Sequence, residues 1–249
     1  MTAPTLIALV HGSADPRSAR TVREIVATTK RLRPGLRIES AFLDHVPPDL
    51  DTVVGRLAAK GHSEVVVVPV LLTSAYHAAI DLPAVIHRAN EDYAEVTVTA
   101  TDVIGPDAGL LSMLDDRLRE ALRLARVREL DALVLAAAGS SDVRASASIT
   151  RVARLWGQRH RLPTTVAFAS AAPPSTGEAV REWRRQGKRY VAVGSLFVAP
   201  GTLTDRVEEL ALEAGAVAVS QPLGAHDGLA RLILARYSVG ALELVQIPA

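Results

Sequence analysis

The stretch VVVVPVLLTSAYHAAIDLP, residues 65–83, indicates an α/β fold and contains the first candidate functional residue. Its β-branched apolar start has the length and composition of a strand buried on both faces, and a helical pattern follows the polar loop. His77 therefore stands just beyond the carboxyl end of a predicted parallel strand. Open parallel sheets bind ligands at that edge, because loops and helix N-termini converge there.

Strand and helix signals alternate outward from this stretch through the first half of the chain. Short apolar runs predict strands at 6–10, 37–43, 65–72 and 96–101, and amphipathic segments predict helices at 17–31, 50–60, 79–90 and 108–124. Four successive βα units are typical of an α/β fold. We expect a parallel sheet with right-handed crossovers and helices on both faces.

The second half of the chain repeats the first. Three pairs of segments match: LIALVHGSADPRSA (6–19) with LVLAAAGSSDVRAS (133–146), AFLDHVPP (41–48) with AFASAAPP (167–174), and VVVPVLLTSAYH (66–77) with VAVGSLFVAPGT (191–202). The offset drifts only from 127 residues, between Gly12 and Gly139, to 125 residues, between His77 and Thr202. An internal duplication explains this near-constant spacing.

The repeat predicts two similar lobes, each a four-stranded parallel sheet with helices on both faces. We place the N-terminal lobe at residues 1–126 and expect it to carry the active site. The C-terminal lobe, residues 127–249, is then a degenerate copy that lacks the candidate metal-binding side chains of the first lobe, which are His11, Asp44 and His77.

The loops of the two halves differ where chemistry would be expected. His11 follows the first strand and aligns with Ala138, while Asp44 aligns with Ser170 and His77 with Thr202; each of the three is replaced by a smaller side chain in the copy. A histidine required for packing should leave a side chain of similar size in the sister lobe. Two imidazoles and a carboxylate suit a first-row divalent metal with open coordination positions better than they suit magnesium.

Asp44 is the weakest member of this set. An aspartate after a strand can also cap a helix or brace a turn, and the adjacent His45 could compete with it as a ligand. The histidines other than His11 and His77 carry no second signal and are interpreted as structural or exposed: His45, His62, His87, His160 and His226.

Four further residues are candidates for contacting a substrate. Ser13 fits a helix-entry cap, an interpretation favoured by its retention as Ser140 in the copy. Arg17 and Arg20 follow on the predicted helix and could hold carboxylates of a ligand, although each also fits a solvated surface position. Tyr76 could flank a flat ligand or simply cover the end of the strand.

Composition excludes several classes of protein. The 249 residues carry a net charge of +1, which offers no general attraction to nucleic acid or to an anionic membrane, and no apolar run approaches the roughly 18 residues that span a bilayer. With no cysteine, disulfides, thiolate zinc sites and iron–sulfur clusters are excluded, and a cytoplasmic location is expected. Nucleophile-elbow, dinucleotide-binding and P-loop motifs are also absent from the sequence.

Three motifs together resemble the sirohydrochlorin chelatases, the class II chelatases of the two-lobe CbiX and SirB type. They are HGS after the first strand, followed by an acidic and a basic residue, the triplet Phe42-Leu43-Asp44, and the stretch 65–83. The resemblance implies that His11 and His77 are the metal-binding and catalytic histidines. It places Asp44, as a third ligand, where relatives often carry a glutamate.

The same resemblance implies a lyase that inserts Fe²⁺ or Co²⁺ into sirohydrochlorin during sirohaem or cobalamin biosynthesis, with Ni²⁺ and Zn²⁺ as further metals in vitro. No organic cofactor is expected, and the partner is the tetrapyrrole itself, with Ser13, Arg17, Arg20 and Tyr76 as candidate contacts. Monomer and homodimer are both consistent with the sequence. The competing interpretation is a non-catalytic carrier of metal or tetrapyrrole with the same fold.

Overall fold

The structure, a computed structural model, describes residues 3–73 and 82–244, and strands and helices alternate along these residues. The elements are β1 (Thr5–Val10), α1 (Pro16–Leu32), β2 (Ile38–Phe42), α2 (Leu50–Ala58), β3 (Glu64–Pro69), α3 (Leu82–Asp92), β4 (Thr97–Ala100), α4 (Gly109–Leu124), β5 (Ala132–Ala137), α5 (Val143–His160), β6 (Thr164–Phe168), α6 (Thr176–Arg185), β7 (Val191–Leu196), α7 (Thr202–Glu213), β8 (Ala218–Val219) and α8 (Asp227–Glu243). The predicted α/β class is confirmed. None of these helices is both long and apolar enough to cross a bilayer.

The first four strands form one parallel sheet in the order β2-β1-β3-β4. Val10 lies opposite Phe42 across the β1–β2 pair, and Leu9 lies opposite Pro69 across the β1–β3 pair. The three strands therefore end at nearly the same level. Whatever follows each of them emerges at one edge of the sheet.

Alternate residues of this sheet enter two apolar layers. Val67 of β3 packs in a cluster that contains Val53 of α2 and Ala89 of α3. Val66, its neighbour, meets α8 on the opposite face, where a Cβ added to Gly240 would lie 2.7 Å from a Val66 methyl carbon. Glycine at that position lets the helix backbone approach the sheet closely. Helices therefore cover both faces, as predicted.

The last four strands form a second parallel sheet with the equivalent order, β6-β5-β7-β8. Val193 of β7 packs with Ala179 of α6 and Val207 of α7. On the other face, a Cβ added to Gly194 would lie 2.5 Å from the indole ring of Trp156 in α5. The two predicted four-stranded sheets are thus both present.

The chain divides into two compact units that differ from the predicted lobes. Unit 1 comprises residues 1–105 and 225–249, and unit 2 comprises residues 106–224. The repeat instead places the division between residues 126 and 127. Helix α4 follows the strands of the first half in sequence but belongs to unit 2. Helix α8 follows the strands of the second half but belongs to unit 1.

Packing and hydrogen bonding account for this assignment of the two helices. In unit 1, the Tyr237 hydroxyl of α8 donates to the carbonyl of Pro4, just before β1, at 2.7 Å. In unit 2, the guanidinium of Arg117 in α4 donates to the carbonyl of Leu223 at 2.8 Å. The amphipathic pattern of a helix shows that one face is buried, but it does not specify which sheet covers that face.

Strand β3 is shorter than predicted. The sequence predicts a strand to Leu72, whereas β3 ends at Pro69. Proline has no N–H to donate to a ladder, and the backbone beyond it pairs with the segment after β4, where Gly105 N–H donates to the Leu71 carbonyl at 3.0 Å.

Candidate functional site

The loops that follow β1 and β2 are joined by their backbones. Leu43 N–H donates to the Val10 carbonyl and Asp44 N–H donates to the His11 carbonyl, both at 2.9 Å. Gly12 adopts φ +98°, and a Cβ added there would lie 2.0 Å from the Asp44 carbonyl oxygen. Only glycine permits both this left-handed backbone and this close approach. The positions of His11 and Asp44 are therefore fixed relative to each other.

The β2 loop then forms a three-residue turn centred on His45. Val46 N–H donates to the Asp44 carbonyl at 2.9 Å, and His45 has φ +69°. This is a γ-turn with a left-handed central residue, a conformation that few residues with a Cβ adopt. The loop closes where Phe42 N–H donates to the Pro48 carbonyl at 2.9 Å. The turn presents the His45 side chain at the edge of the sheet.

Two imidazoles meet at this edge. The ring centroids of His11 and His45 are 5.7 Å apart, with the ring planes at 84° to each other. The His45 side chain is 49% exposed, and His11 is half-buried. Imidazole nitrogen is among the commonest metal ligands in proteins. The arrangement can offer nitrogen donors to an incoming cation.

The Asp44 carboxylate bends back toward its own loop. One oxygen accepts a hydrogen bond from His45 N–H at 2.7 Å, and the other lies 3.6 Å from His45 Nε2. The second distance is too long for a direct hydrogen bond, although it keeps a carboxylate beside the imidazole. Asp44 therefore braces the turn, as one of its two sequence interpretations predicts, and its side chain remains 60% exposed.

Helix α1 begins beside these loops with a charged cap. Ser13 Oγ accepts from Asp15 N–H at 3.1 Å, and Asp15, the N-cap residue, accepts from Arg17 N–H at 2.9 Å. The Arg17 guanidinium also donates to Asp15, at 2.6 Å in its shortest contact, and these bonds lower the pKa of Asp15. Arg20, one turn further, is exposed. The equivalent Ser140 accepts the same type of N–H, so this serine position has a bracing role in both units.

Unit 2 reproduces the loop backbones without the imidazoles. A Cβ on Gly139 would lie 2.0 Å from the Ser170 carbonyl oxygen, the same clearance that Gly12 has. Ala171 is the left-handed residue of the second γ-turn, with φ +63°, and Ser170 Oγ donates to the Ala138 carbonyl at 2.9 Å. The strained turn is therefore a property of the scaffold, and the histidines are an addition found in unit 1.

The structure brings together part of the predicted site. His11, Asp44, Ser13 and Arg17 lie in the loops and first helical turn at the carboxyl edge of the unit 1 sheet, with Arg20 one turn along α1. His77 and Tyr76 lie outside the described residues. Within residues 3–73 and 82–244, no group of three or more His, Asp or Glu side chains is arranged to hold a metal ion.

His45 lies beside His11, although the sequence suggests it only as a competitor of Asp44 for the ion and otherwise as a structural or exposed histidine. A second signal exists in the repeat: DHVPP aligns with SAAPP, so the position of His45 is occupied by Ala171 in the copy. His45 thus satisfies the same criterion, loss from the sister lobe, that selected His11.

Comparison with known proteins gives matches over both halves of the chain. A family model described as CbiX matches residues 5–121 and 132–239. The chain is 30% identical over 203 residues to the sirohydrochlorin cobaltochelatase of Priestia megaterium, an alignment that covers 80% of this chain and 66% of that relative. It is 26% identical over 231 residues to the sirohydrochlorin ferrochelatase of the same organism, covering 90% of this chain and 85% of the relative.

A solved structure supports the fold. The chain resembles SirB from Bacillus subtilis with Fe³⁺ at a TM-score of 0.81 and 22% identity, with 96% of each chain covered. At this identity the likeness concerns architecture, and it agrees with two four-stranded parallel sheets flanked by helices.

Proposed function

The chain belongs to the CbiX family, and on that premise we propose that it is a sirohydrochlorin chelatase, a lyase that inserts a divalent metal into the tetrapyrrole. The observation that carries this proposal is that one family model covers both halves of the chain, including the strand ends where the imidazoles lie. The metal is Fe²⁺ or Co²⁺, because the two relatives compared are named for iron and for cobalt. We place the enzyme in the cytoplasm, where a chain without cysteine is unaffected by the reducing conditions.

The proposed metal-binding residues are His11, His77 and Asp44. His11 follows β1 directly, beside the ring of His45, and it is supported by its absence from the otherwise equivalent loop of unit 2. Imidazole and carboxylate ligands suit first-row divalent ions, including Ni²⁺ and Zn²⁺ as substitutes in vitro. Three ligands from the protein would leave coordination positions open for the pyrrole nitrogens.

Metal insertion also requires proton transfer. Two pyrrole N–H protons must leave the ring as the metal exchanges its ligands for ring nitrogens. Histidine suits this step because its unperturbed pKa is near neutrality, so the imidazole can accept a proton at the working pH. We propose that an imidazole of the pair His11 and His77, or the Asp44 carboxylate, takes each proton and passes it to solvent.

The carboxylates of sirohydrochlorin need cationic partners. Arg20 is exposed on α1, close in sequence to the metal-binding loop, and we propose it as the first of these. Arg17 is a weaker candidate because its guanidinium is already paired with Asp15 at 2.6 Å. Ser13 and Tyr76 are proposed as further contacts, Ser13 through its place between His11 and the start of α1.

A turnover assay separates the chelatase from a carrier. Purified protein is mixed anaerobically with an excess of sirohydrochlorin, and Fe²⁺ or Co²⁺ is added while the tetrapyrrole absorption is followed. The chelatase converts many equivalents faster than the reaction without protein. A carrier instead changes the spectrum of one equivalent and then stops, and that result would overturn the proposed function.

A further inference from the structure

We propose that His45 is a further ligand of the metal substrate, sharing the ion with His11. The inference deepens the proposed function and rests on it, since it concerns the same ion at the same edge of the sheet. It is built on three independent observations of the described residues: the separation of the two rings, the position of the Asp44 carboxylate, and the composition of the sister loop.

The separation of the rings is appropriate for a shared ion. With metal–nitrogen bonds of about 2.1 Å, the centroids of two imidazoles bound to one ion lie roughly 5–6.5 Å apart. The centroids of His11 and His45 are 5.7 Å apart. The backbone hydrogen bonds between the two loops hold this spacing, because Asp44 N–H donates directly to the His11 carbonyl.

The Asp44 carboxylate lies beside His45. Its oxygens lie 2.7 Å from His45 N and 3.6 Å from His45 Nε2. Metal-binding histidines commonly have the second ring nitrogen near a carboxylate, which orients the ring and strengthens the ligand. Because Nε2 lies on the side of Asp44, at 3.6 Å, Nδ1 is the atom that we assign to the metal.

The sister loop shows that the turn does not need histidine. Ala171 occupies the equivalent left-handed position at φ +63°, compared with +69° for His45, and the same i to i+2 hydrogen bond closes both turns. Histidine therefore contributes nothing that alanine lacks to forming the turn. Its imidazole stands beside His11 only in unit 1, since the copy carries Ala138 at the position of His11.

The test is a titration of the metal-free protein with Co²⁺, followed by the visible absorption of bound cobalt, in the absence of sirohydrochlorin. His45→Ala is the variant of choice because Ala171 shows that alanine is accommodated in this turn. His87→Ala is the matched control, since it removes a 76% exposed imidazole that pairs with Glu91 on α3. We expect His45→Ala to weaken Co²⁺ binding at least tenfold, given that loss of even a supporting group commonly costs 10–100-fold, and His87→Ala to leave it unchanged.

A second variant tests whether His45→Ala weakens binding only by altering the conformation of the turn. His45→Asn keeps a residue that tolerates a left-handed backbone and should weaken Co²⁺ binding as much as His45→Ala does. Equal Co²⁺ affinities for the unmodified protein, His45→Ala and His45→Asn would overturn the inference, as would absence of Co²⁺ binding by the unmodified protein.

The same preparations keep the two proposals apart. If the unmodified protein turns over sirohydrochlorin and the His45 variants bind Co²⁺ normally, the assignment of His45 fails while the chelatase stands. If the unmodified protein fails to turn over sirohydrochlorin but His45→Ala weakens Co²⁺ binding, the metal site stands and the chelatase fails.

Discussion

Gly12 passes so close to Asp44 that a Cβ on the glycine would lie 2.0 Å from the aspartate carbonyl oxygen. This single approach aligns the two loops that carry His11, Asp44 and His45. The same clearance separates Gly139 from Ser170 in unit 2, where the loops hold no imidazole. The same loop geometry can therefore be disturbed once with the imidazoles present, at Gly12, and once without them, at Gly139.

Gly12→Ala should destabilise unit 1 and abolish metal binding. Gly35→Ala is the matched control, because Gly35 has φ +87° but nothing within 4 Å of an added Cβ. Both variants incur a left-handed backbone cost of about 1–2 kcal/mol, and we expect Gly12→Ala to lose more than about 2 kcal/mol beyond that because the loops must separate. Denaturant unfolding measures the difference.

Gly139→Ala provides the second comparison. It should lower the free energy of unfolding by about as much as Gly12→Ala does, since the two clearances are equal, but it should retain Co²⁺ binding. If Gly139→Ala lost Co²⁺ binding and Gly12→Ala retained it, the metal site would lie in unit 2 and not in unit 1.

Asp15 should make a pH-dependent contribution to stability. Hydrogen bonds from Arg17 lower the pKa of this N-cap carboxyl below its ordinary value. The contribution is then fully present above the unfolded pKa, about 4, and is lost as the pH falls through the lower folded value. Asp15→Asn keeps a capping side chain but removes the charge. The stability advantage of the unmodified protein over Asp15→Asn should therefore shrink as the pH is lowered from 7 through this range.

Arg17→Gln supplies the control for that pH series. The Arg17 side chain is the largest cause of the lowered pKa, so this variant should lose most of the pH-dependent difference. If the unmodified protein remained more stable than Asp15→Asn by the same free energy well below the folded pKa, the Asp15 charge would not be the source of that stability.

Asp115 should stabilise unit 2 through a buried network. Its side chain is 6% exposed and accepts from Trp156 Nε1 at 2.7 Å, with His160 Nε2 at 2.7 Å and Arg159 Nε at 3.1 Å. Asp115→Ala leaves the buried indole N–H without its acceptor, which costs about 1–3 kcal/mol. Asp116→Ala, which removes a half-exposed ion pair with Arg119, should cost less than about 1 kcal/mol.

The readouts for this pair are denaturant unfolding and Co²⁺ affinity. Asp115→Ala should unfold at lower denaturant concentration and bind Co²⁺ as the unmodified protein does, because its network lies in unit 2. Equal midpoints for the Asp115 and Asp116 variants would show that the network contributes little.

Much of the fold is predictable because its signals are local. The apolar runs at the strands and the glycines after β1 and β5 predict both sheets, and the matching segments indicate the duplication. The assignment of α4 to unit 2 and of α8 to unit 1 depends on contacts between residues far apart in sequence. In the structure Leu114 of α4 packs beside Gly194 of β7, and Gly240 of α8 packs against Val66 of β3; only tertiary packing determines these contacts.

The positions of His11 and Asp44 at the ends of β1 and β2 were predictable from the strand pattern, and their roles stay predictions. The contact between His11 and His45 depends on a γ-turn that reverses the chain after Asp44. No sequence period signals that turn, since alanine and histidine both occupy its centre. The placement of His77 in the site stays a prediction.

The steady-state rate of Co²⁺ insertion into sirohydrochlorin, compared under the same anaerobic conditions for the unmodified protein, His11→Ala and His87→Ala, tests whether unit 1 carries a chelatase site. We expect multiple turnovers for the unmodified protein and for His87→Ala, and a rate for His11→Ala lower by a factor on the order of 100 or more, because that variant loses both a proposed metal ligand and a candidate proton acceptor. Equal rates for all three proteins would contradict this expectation.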